Sequence, residues 1–162
     1  MHRPRRTAPV VGGVLVASSV LTACGPVEVD VPDLPAEDRA ACEAFAADLP
    51  DTLLDEEQVE VEPADAPAAA YGDPPIVVRC GAGEPEGFGK GAQCEIANDV
   101  PWYIPPEQYD DQSLDLVITA AWHTPRAQVL LPAEYRGREA GAMAVLAPLV
   151  EEHLEQVDDC DL

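Results

Sequence analysis

The sequence predicts an α+β fold, in which a small antiparallel sheet of about four to five strands is packed by an N-terminal and a C-terminal helix. Three observations predict this fold class. Apolar residues recur at helical spacing near both ends of the chain, and segments between them alternate with period two. Four cysteines follow Cys24, an even number that is typical of a disulfide-stapled exported domain.

The first 23 residues have the pattern of a secretory signal. Three arginines lie within the first six residues, and residues 8–21 form an uncharged, mostly apolar run. This run is shorter than the roughly 20 residues that a membrane-spanning helix needs. We therefore expect residues 1–23 to be a cleaved signal peptide rather than a stable transmembrane helix.

The end of this signal matches a bacterial lipobox, with the sequence Leu21-Thr22-Ala23-Cys24. Cleavage between Ala23 and Cys24 would leave the cysteine first in the mature chain, where it receives a diacylglyceryl group. Two acyl chains suffice for stable membrane anchoring. We expect a lipoprotein on the outer face of the cytoplasmic membrane. The alternative is a cysteine that happens to end an ordinary signal peptide.

The mature chain is predicted to consist of a tether and one domain. Residues 24–35 contain three prolines among valines and acids, which predicts an extended tether. A single α+β domain then spans residues 36–162. Its first helix starts after Pro35 and ends at Pro50, and its apolar face is formed by Cys42, Phe45, Ala46 and Leu49.

The segment Ile76–Cys80 is the clearest strand, because alternation places Ile76, Val78 and Cys80 on one face. Residues 51–70 are predicted to be mostly loop, with a short edge strand around Val59. Further strands are predicted at 94–97, 100–104, 114–122 and 127–131. The last helical region covers residues 137–157, and Pro148 is expected to kink it or divide it in two.

The cysteines are predicted to form two disulfides. Cys42 lies on the apolar face of the first helix and Cys80 on one face of the central strand, so packing the helix on that face pairs them. Cys94 and Cys160 are paired by elimination. Three connectivities are possible for four cysteines, and this is one of them. No CxxC or close Cys/His spacing points to zinc.

The mature chain is strongly acidic. It carries six Lys and Arg side chains against 31 Asp and Glu, a net charge of −25. Nucleic-acid binding requires a basic surface, so nucleic acid is not expected as a partner, and neither is charge-driven docking on anionic lipid. A cationic partner or metal ions would fit, but solvation is favoured because the acids are spread along the chain.

Several segments resemble one known family. They are Tyr71–Gly81 (YGDPPIVVRCG), Val100–Trp102, Val129–Tyr135 and an Ala/Leu-rich last helix. Together with the helix that bears Cys42, they resemble the actinobacterial lipoproteins catalogued as domain of unknown function 3515, over residues 39–154. The resemblance implies export, lipidation and a small α+β domain, and it supplies no catalytic residue. Tyr71 stands where that family usually has Trp, and Cys94 and Cys160 are less typical of it.

The inventory of reactive side chains argues against common hydrolases. Ser113 is the only serine after Cys24, and it lacks a nucleophile elbow. Of the two histidines in the mature chain, His123 is expected at the surface beside a turn and His153 partly buried by packing; no metal or cofactor site is predicted. A hydrolase with paired carboxylates stays as an alternative, because acids are abundant.

A possible binding surface is predicted at Tyr71, Arg79 and Tyr103, whereas Trp102 and Trp122 have the parity of core residues. Arg79 is expected to pair with a neighbouring carboxylate, with an anionic ligand as the alternative. The function that we expect is a non-enzymatic, lipid-anchored domain that binds another envelope protein or a wall component. The alternative is a lipoprotein that binds a small ligand or sugar.

Overall fold

The computed structural model describes residues 25–30 and 32–160. The predicted signal peptide, its cleavage site at Ala23 and the predicted lipidation site at Cys24 lie outside the described residues. Among those that are described, no helix combines the length and the apolar character needed to cross a membrane.

The fold is α+β, as predicted, and is built on one antiparallel sheet of eight strands. In spatial order they are β2 (Thr52–Leu53), β3 (Glu56–Val59), β5 (Ala68–Tyr71), β6 (Ile76–Ala82), β11 (Arg126–Leu131), β9 (Leu116–Ala120), β8 (Val100–Tyr103) and β7 (Glu95–Ala97). Two small ribbons complete the strands. They pair β1 (Val27–Glu28) with β4 (Val61–Glu62), and β10 (His123–Thr124) with β12 (Glu155–Gln156).

Two helices, α1 (Ala36–Ala47) and α3 (Glu139–His153), pack on one face of the sheet, and the short helix α2 (Pro106–Asp110) follows β8. The main core lies between these two helices and the sheet. Strand β6 contributes Ile76, Val78 and Cys80 to it, as the alternation predicts. The helices contribute Cys42, Phe45, Met143, Leu146 and Val150.

The sheet has more strands than the predicted four to five, and most of the additional ones lie in residues 51–70. This segment is rich in Ala, Glu and Pro, which have low strand propensity. Pairing decides its conformation: Ala68–Tyr71 aligns antiparallel with β6 over four residues. A two-residue turn at Leu54 and Asp55, with φ of 53° and 66°, then folds β2 onto β3.

Helix α3 is not divided at Pro148, contrary to one of the predicted outcomes. Proline lacks an N–H group, so the carbonyl of Ala144, four residues earlier, loses its helical donor. The side chain of Asn98 replaces that donor, because its Nδ2 donates to the Ala144 oxygen at 2.9 Å. A hydrogen bond from the β7–β8 turn thus satisfies the carbonyl group that the proline leaves without a donor, and the helix continues through Pro148.

Both predicted disulfides are confirmed. Cys42 and Cys80 join α1 to β6 with a Cα–Cα distance of 5.2 Å, and Cys94 and Cys160 join the β7 edge to the C-terminal segment at 6.2 Å. Both distances lie in the usual disulfide range. The first bond closes a sequence separation of 38 residues, which contributes about 4 kcal/mol in the chain-entropy model.

The N-terminal segment is defined here as residues 25–30 and 32–34. Val27 and Val29 pack on the face of the sheet opposite the helices, whereas Leu34 packs against the main core. Val27 and Glu28 pair in parallel with Val61 and Glu62. Val29 is 8% exposed and joins a second apolar cluster. This part of the predicted tether is extended, but it lies on the domain instead of leading away from it.

The predicted surface position of His123 is wrong, because this residue is only 2% exposed. The strand pairing of β10 with β12 places it beneath the C-terminal segment, where its Nδ1 lies 2.7 Å from the carbonyl oxygen of Ala121. Burial lowers the pKa of His123 below its ordinary value of 6.5, although Ala121 and Glu151 act in the opposite direction.

This lowered pKa predicts a loss of stability in mild acid. Below about pH 6.5 the unfolded chain takes up a proton at His123 that the folded chain takes up only at lower pH, so the free energy of unfolding falls as the pH falls. The slope contributed by one such group is at most about 1.4 kcal/mol per pH unit. Denaturant unfolding of His123→Gln should lack this component, whereas His153→Gln should retain it. Equal slopes for the wild type and His123→Gln would contradict the account.

Candidate functional site

A row of polar side chains crosses the face of the sheet opposite the helices. The strand register aligns Arg79 of β6 with Gln128 of β11, Gln128 with Thr119 of β9, and Thr119 with Tyr103 of β8. Four neighbouring strands thus each place one polar residue in a single line. We call this line the polar row.

Hydrogen bonds connect the first three residues of the polar row. Nε and Nη2 of Arg79 both donate to Oε1 of Gln128, at 3.0 and 2.6 Å, and Nε2 of Gln128 donates to Oγ1 of Thr119 at 3.1 Å. Gln128 and Thr119 are 4% and 1% exposed. Buried polar groups are costly unless they are paired. Loss of the hydrogen bonds to Gln128 would therefore be unfavourable, and these bonds hold the side chain of Arg79 in place at the end of the row.

Arg79 does not have the carboxylate partner that the sequence analysis favoured. Among the described residues, no Asp or Glu oxygen lies within 4.0 Å of its guanidinium nitrogens. Nη1 of Arg79 has no hydrogen-bond acceptor in the part of the chain that the structure describes. A guanidinium has five N–H donors, and Gln128 occupies two of them, so the others are available to a ligand.

Arg79 borders a cleft of about 360 Å³. Its walls combine apolar and polar side chains from three parts of the chain: Glu84, Pro85 and Glu86 of the loop after β6, Pro105, Glu107 and Gln108 around α2, and Val117 and Leu130 of the sheet. On its other side Arg79 borders a smaller cavity of about 60 Å³, together with Asp30, Pro32 and Gly81. The cleft therefore has one cation at its floor and glutamates at its rim.

The loop that forms the rim is held to the sheet by aromatic contacts. The Tyr103 hydroxyl donates to the carbonyl oxygen of Glu86 at 3.0 Å. The Phe88 ring lies between Tyr103 and Trp122, with ring centroids 5.2 and 4.7 Å away. Burial, and then the charges of Glu107 and Glu86, raise the pKa of Tyr103 above its ordinary value, so it remains a neutral hydroxyl donor at physiological pH.

The three residues of the predicted binding surface do not come together. Tyr71 is fully buried in the core on the helix side, where its hydroxyl donates to the carbonyl oxygen of Pro50 at 2.9 Å. Burial, together with the charge of Asp51, raises its pKa to about 12. Tyr103 lies on the same face as Arg79 but is only 2% exposed. Of the three, Arg79 alone is left to offer a charged group to a ligand.

Sequence reasoning missed Gln128 and Thr119. The alternation in residues 114–122 does place Thr119 on the face away from the core, which was the available signal. Its alignment with Gln128 and Arg79 depends on the register of three strands, and that register is not readable from one sequence. The predicted core position of Trp102 is confirmed, whereas Trp122 is half-buried at the rim loop.

A second polar cluster joins the ends of the two long helices. Nε2 of His153 lies 2.7 Å from Oδ2 of Asp48, and a carboxylate oxygen of Glu152 lies within 4.8 Å of both. Asp48 and Glu152 are exposed. The direct contact between His153 and Asp48 is accounted for as a link between α1 and α3, and we assign no metal ion to this cluster.

A comparison with protein families finds one matching family model, which covers residues 7–158. The chain belongs to the family described as Protein of unknown function (DUF3515). No curated protein and no solved structure gives a significant match to this DUF3515 chain. The family membership that the sequence suggests is therefore confirmed, and the case for a function depends on the cleft itself.

The buried part of the polar row makes a testable prediction for this DUF3515 chain. Gln128→Leu removes the acceptor of two Arg79 N–H groups and leaves Thr119 without its donor, so we expect the free energy of unfolding to fall by about 1–3 kcal/mol. Gln93→Leu, at an exposed position, is the matched control and should change it by less than about 0.5 kcal/mol. Chemical denaturation measures both, and equal effects of the two substitutions would show that the row is not a structural network.

Proposed function

We propose that this protein is an exported lipoprotein, anchored through Cys24 to the outer face of the cytoplasmic membrane, whose cleft binds an anionic group of another envelope component. The proposal has two parts, a location and a binding activity. The lipobox at Leu21–Cys24 supports the location. The two disulfides support it as well, since such bonds persist in oxidising compartments outside the cytoplasm.

The observation that carries the binding activity is the unpaired guanidinium of Arg79 at the floor of the cleft. In a chain with so many acids, each of three other arginines lies against a carboxylate: Arg39 against Asp33, Arg126 against Glu84 and Arg138 against Asp55. Arg136 donates to uncharged acceptors on all three of its nitrogens, at Gln112, Leu114 and Gln108. Arg79 is held by one uncharged amide alone. Arginine binds carboxylates and phosphates through paired N–H groups, so its free edge suits an anionic ligand.

The rim of the cleft narrows the choice of anion. Glu84, Glu86 and Glu107 border the same space as Arg79. Glu84 is paired with Arg126, but the charges of Glu86 and Glu107 oppose a ligand that carries several negative charges. A singly charged carboxylate therefore suits the cleft better than a phosphate. The volume of about 360 Å³ lies in the range of small-molecule sites, which favours a small ligand or a single side group over a flat protein surface.

A hydrolase with paired carboxylates is less well supported by this arrangement. Such an enzyme needs one carboxylic acid whose pKa is raised, usually by burial. Glu84, Glu86 and Glu107 are all exposed. We therefore propose binding without catalysis.

The location has its own test. Cys24→Ala removes the sulfur that would carry the lipid, so the protein should move from the membrane fraction into the medium. Thr7→Ala, outside the lipobox, should leave it in the membrane fraction. Intact-mass analysis of the mature wild-type chain should show a diacylglyceryl adduct on Cys24, and an unmodified N-terminus would refute lipidation.

Anion binding is tested by NMR titration with acetate and with inorganic phosphate. Acetate should shift the Arg79 Nε–H and Gln128 side-chain amide signals at lower concentration than phosphate does. Arg79→Gln should abolish saturable binding, Arg79→Lys should weaken it because the paired N–H geometry is lost, and Arg39→Gln should leave it unchanged. If Arg79→Gln binds acetate as the wild type does, the cleft is not the site.

A further inference from the structure

The N-terminal segment is fastened to the domain close to its start. The backbone N–H of Val27 donates to the carbonyl oxygen of Glu60 at 2.8 Å, and that of Val29 donates to Glu62 at 2.9 Å. The side chain of Val29 packs with Ala70 and Val77 of the sheet. Hydrogen bonds and apolar burial both hold this segment in place.

A second contact fastens the segment near its other end. Gly81 has a φ of +87°, and a Cβ added to it would lie 2.6 Å from Cδ1 of Leu34 and 3.2 Å from Cγ of Pro32. The segment therefore approaches the backbone of β6 more closely than a side chain would permit. Leu34 also packs against the main core.

These contacts limit how far the domain can lie from Cys24. Val27, the first paired residue, lies three residue steps after Cys24, and three steps span at most about 11 Å when fully extended. A free tether over residues 24–35 would instead reach up to roughly 40 Å. Docking of the segment thus removes most of the reach that its composition suggests.

We propose that the docked N-terminal segment holds the domain directly on the phospholipid headgroups of its own membrane. This inference rests on the proposed lipidation of Cys24. The membrane-facing surface is then the rim of the cavity of about 780 Å³ that Gly25 and Pro26 help to form. Strand β3, the residues that flank it and the β5–β6 turn supply the rest of that rim, including the acids Asp55, Glu56, Glu57, Glu60 and Asp73.

The negative charge of this surface means that electrostatic attraction does not hold the domain on the membrane. Its carboxylates repel anionic headgroups over the Debye length of about 8 Å at physiological ionic strength. Attraction between the domain and the membrane therefore cannot keep the two together, and the short connection to Cys24 must do so. If the segment is released, the domain should move away from an anionic bilayer.

Neutron reflectometry of the mature protein on supported bilayers of phosphatidylcholine with phosphatidylglycerol tests this arrangement. The wild-type domain should begin within about 11 Å of the headgroups. An insertion of about ten Gly and Ser residues between Gly25 and Pro26 should open a hydrated gap wider by roughly 17 Å. Val29→Asp, which places a charge in the buried contact, should widen the gap as well, whereas Val157→Asp, at a position 55% exposed, should not.

Equal gaps for the wild type and the insertion variant would overturn the proposal, and this comparison does not depend on the folding of Val29→Asp. If the wild-type protein carries no lipid, the proposed function fails separately, and hydrogen exchange of the soluble chain then decides whether the segment is docked. Slow exchange of the Val27 and Val29 amides would support docking. Exchange at the rate of an unstructured peptide would refute it.

Discussion

The alternation of side chains along β6 is the constraint on which the rest of this structure depends. Ile76, Val78 and Cys80 point into the helix-covered core, and Val77 and Arg79 point to the opposite face. A slip of one residue would exchange the two faces, which would place the Arg79 guanidinium in the main core. The disulfide from Cys80 to Cys42 of α1 excludes that exchange covalently.

The face of the sheet opposite the helices has an apolar part and a polar part. Its apolar part, around Ala70 and Val77, is covered by the N-terminal segment. Its polar part carries the row from Arg79 to Tyr103 and borders the cleft. The boundary between the parts lies at Arg79, since Asp30 and Pro32 of the segment border the smaller cavity on its other side. The N-terminal segment, which would fix the distance of the domain from the membrane, thus also lies beside Arg79, the proposed binding residue.

The parts of the fold that could be predicted from sequence are those set by local pattern. Period-two alternation identified β6, helical spacing identified α1 and α3, and the parity of Cys42 and Cys80 led to the correct disulfide. Apart from a short edge strand around Val59, the segment 51–70 was predicted as loop, because its residues favour pairing only when a neighbouring strand is already in place. Docking of residues 25–30 was missed for the same reason. A proline-rich composition predicts the conformation of the segment on its own, and it does not show that Val27 and Glu28 pair with β4.

The candidate site was only partly predictable. Arg79 was selected because a cation is rare in so acidic a chain, and the structure places it at the cleft floor. Tyr71 was selected by residue type and proved to be a core residue. Gln128 and Thr119 hold Arg79 in position, and local alternation could indicate only the face on which Thr119 lies. Their alignment with Arg79 arises from the register of three strands.

Native mass spectrometry of the protein extracted from the membranes of its own cells tests the central claim most directly. If Arg79 is the binding group of an anchored receptor, the wild-type protein should retain an acidic adduct of defined mass, and Arg79→Gln should lose it. A matched Arg39→Gln variant should keep that adduct. Identical spectra for the wild type and Arg79→Gln would contradict the account.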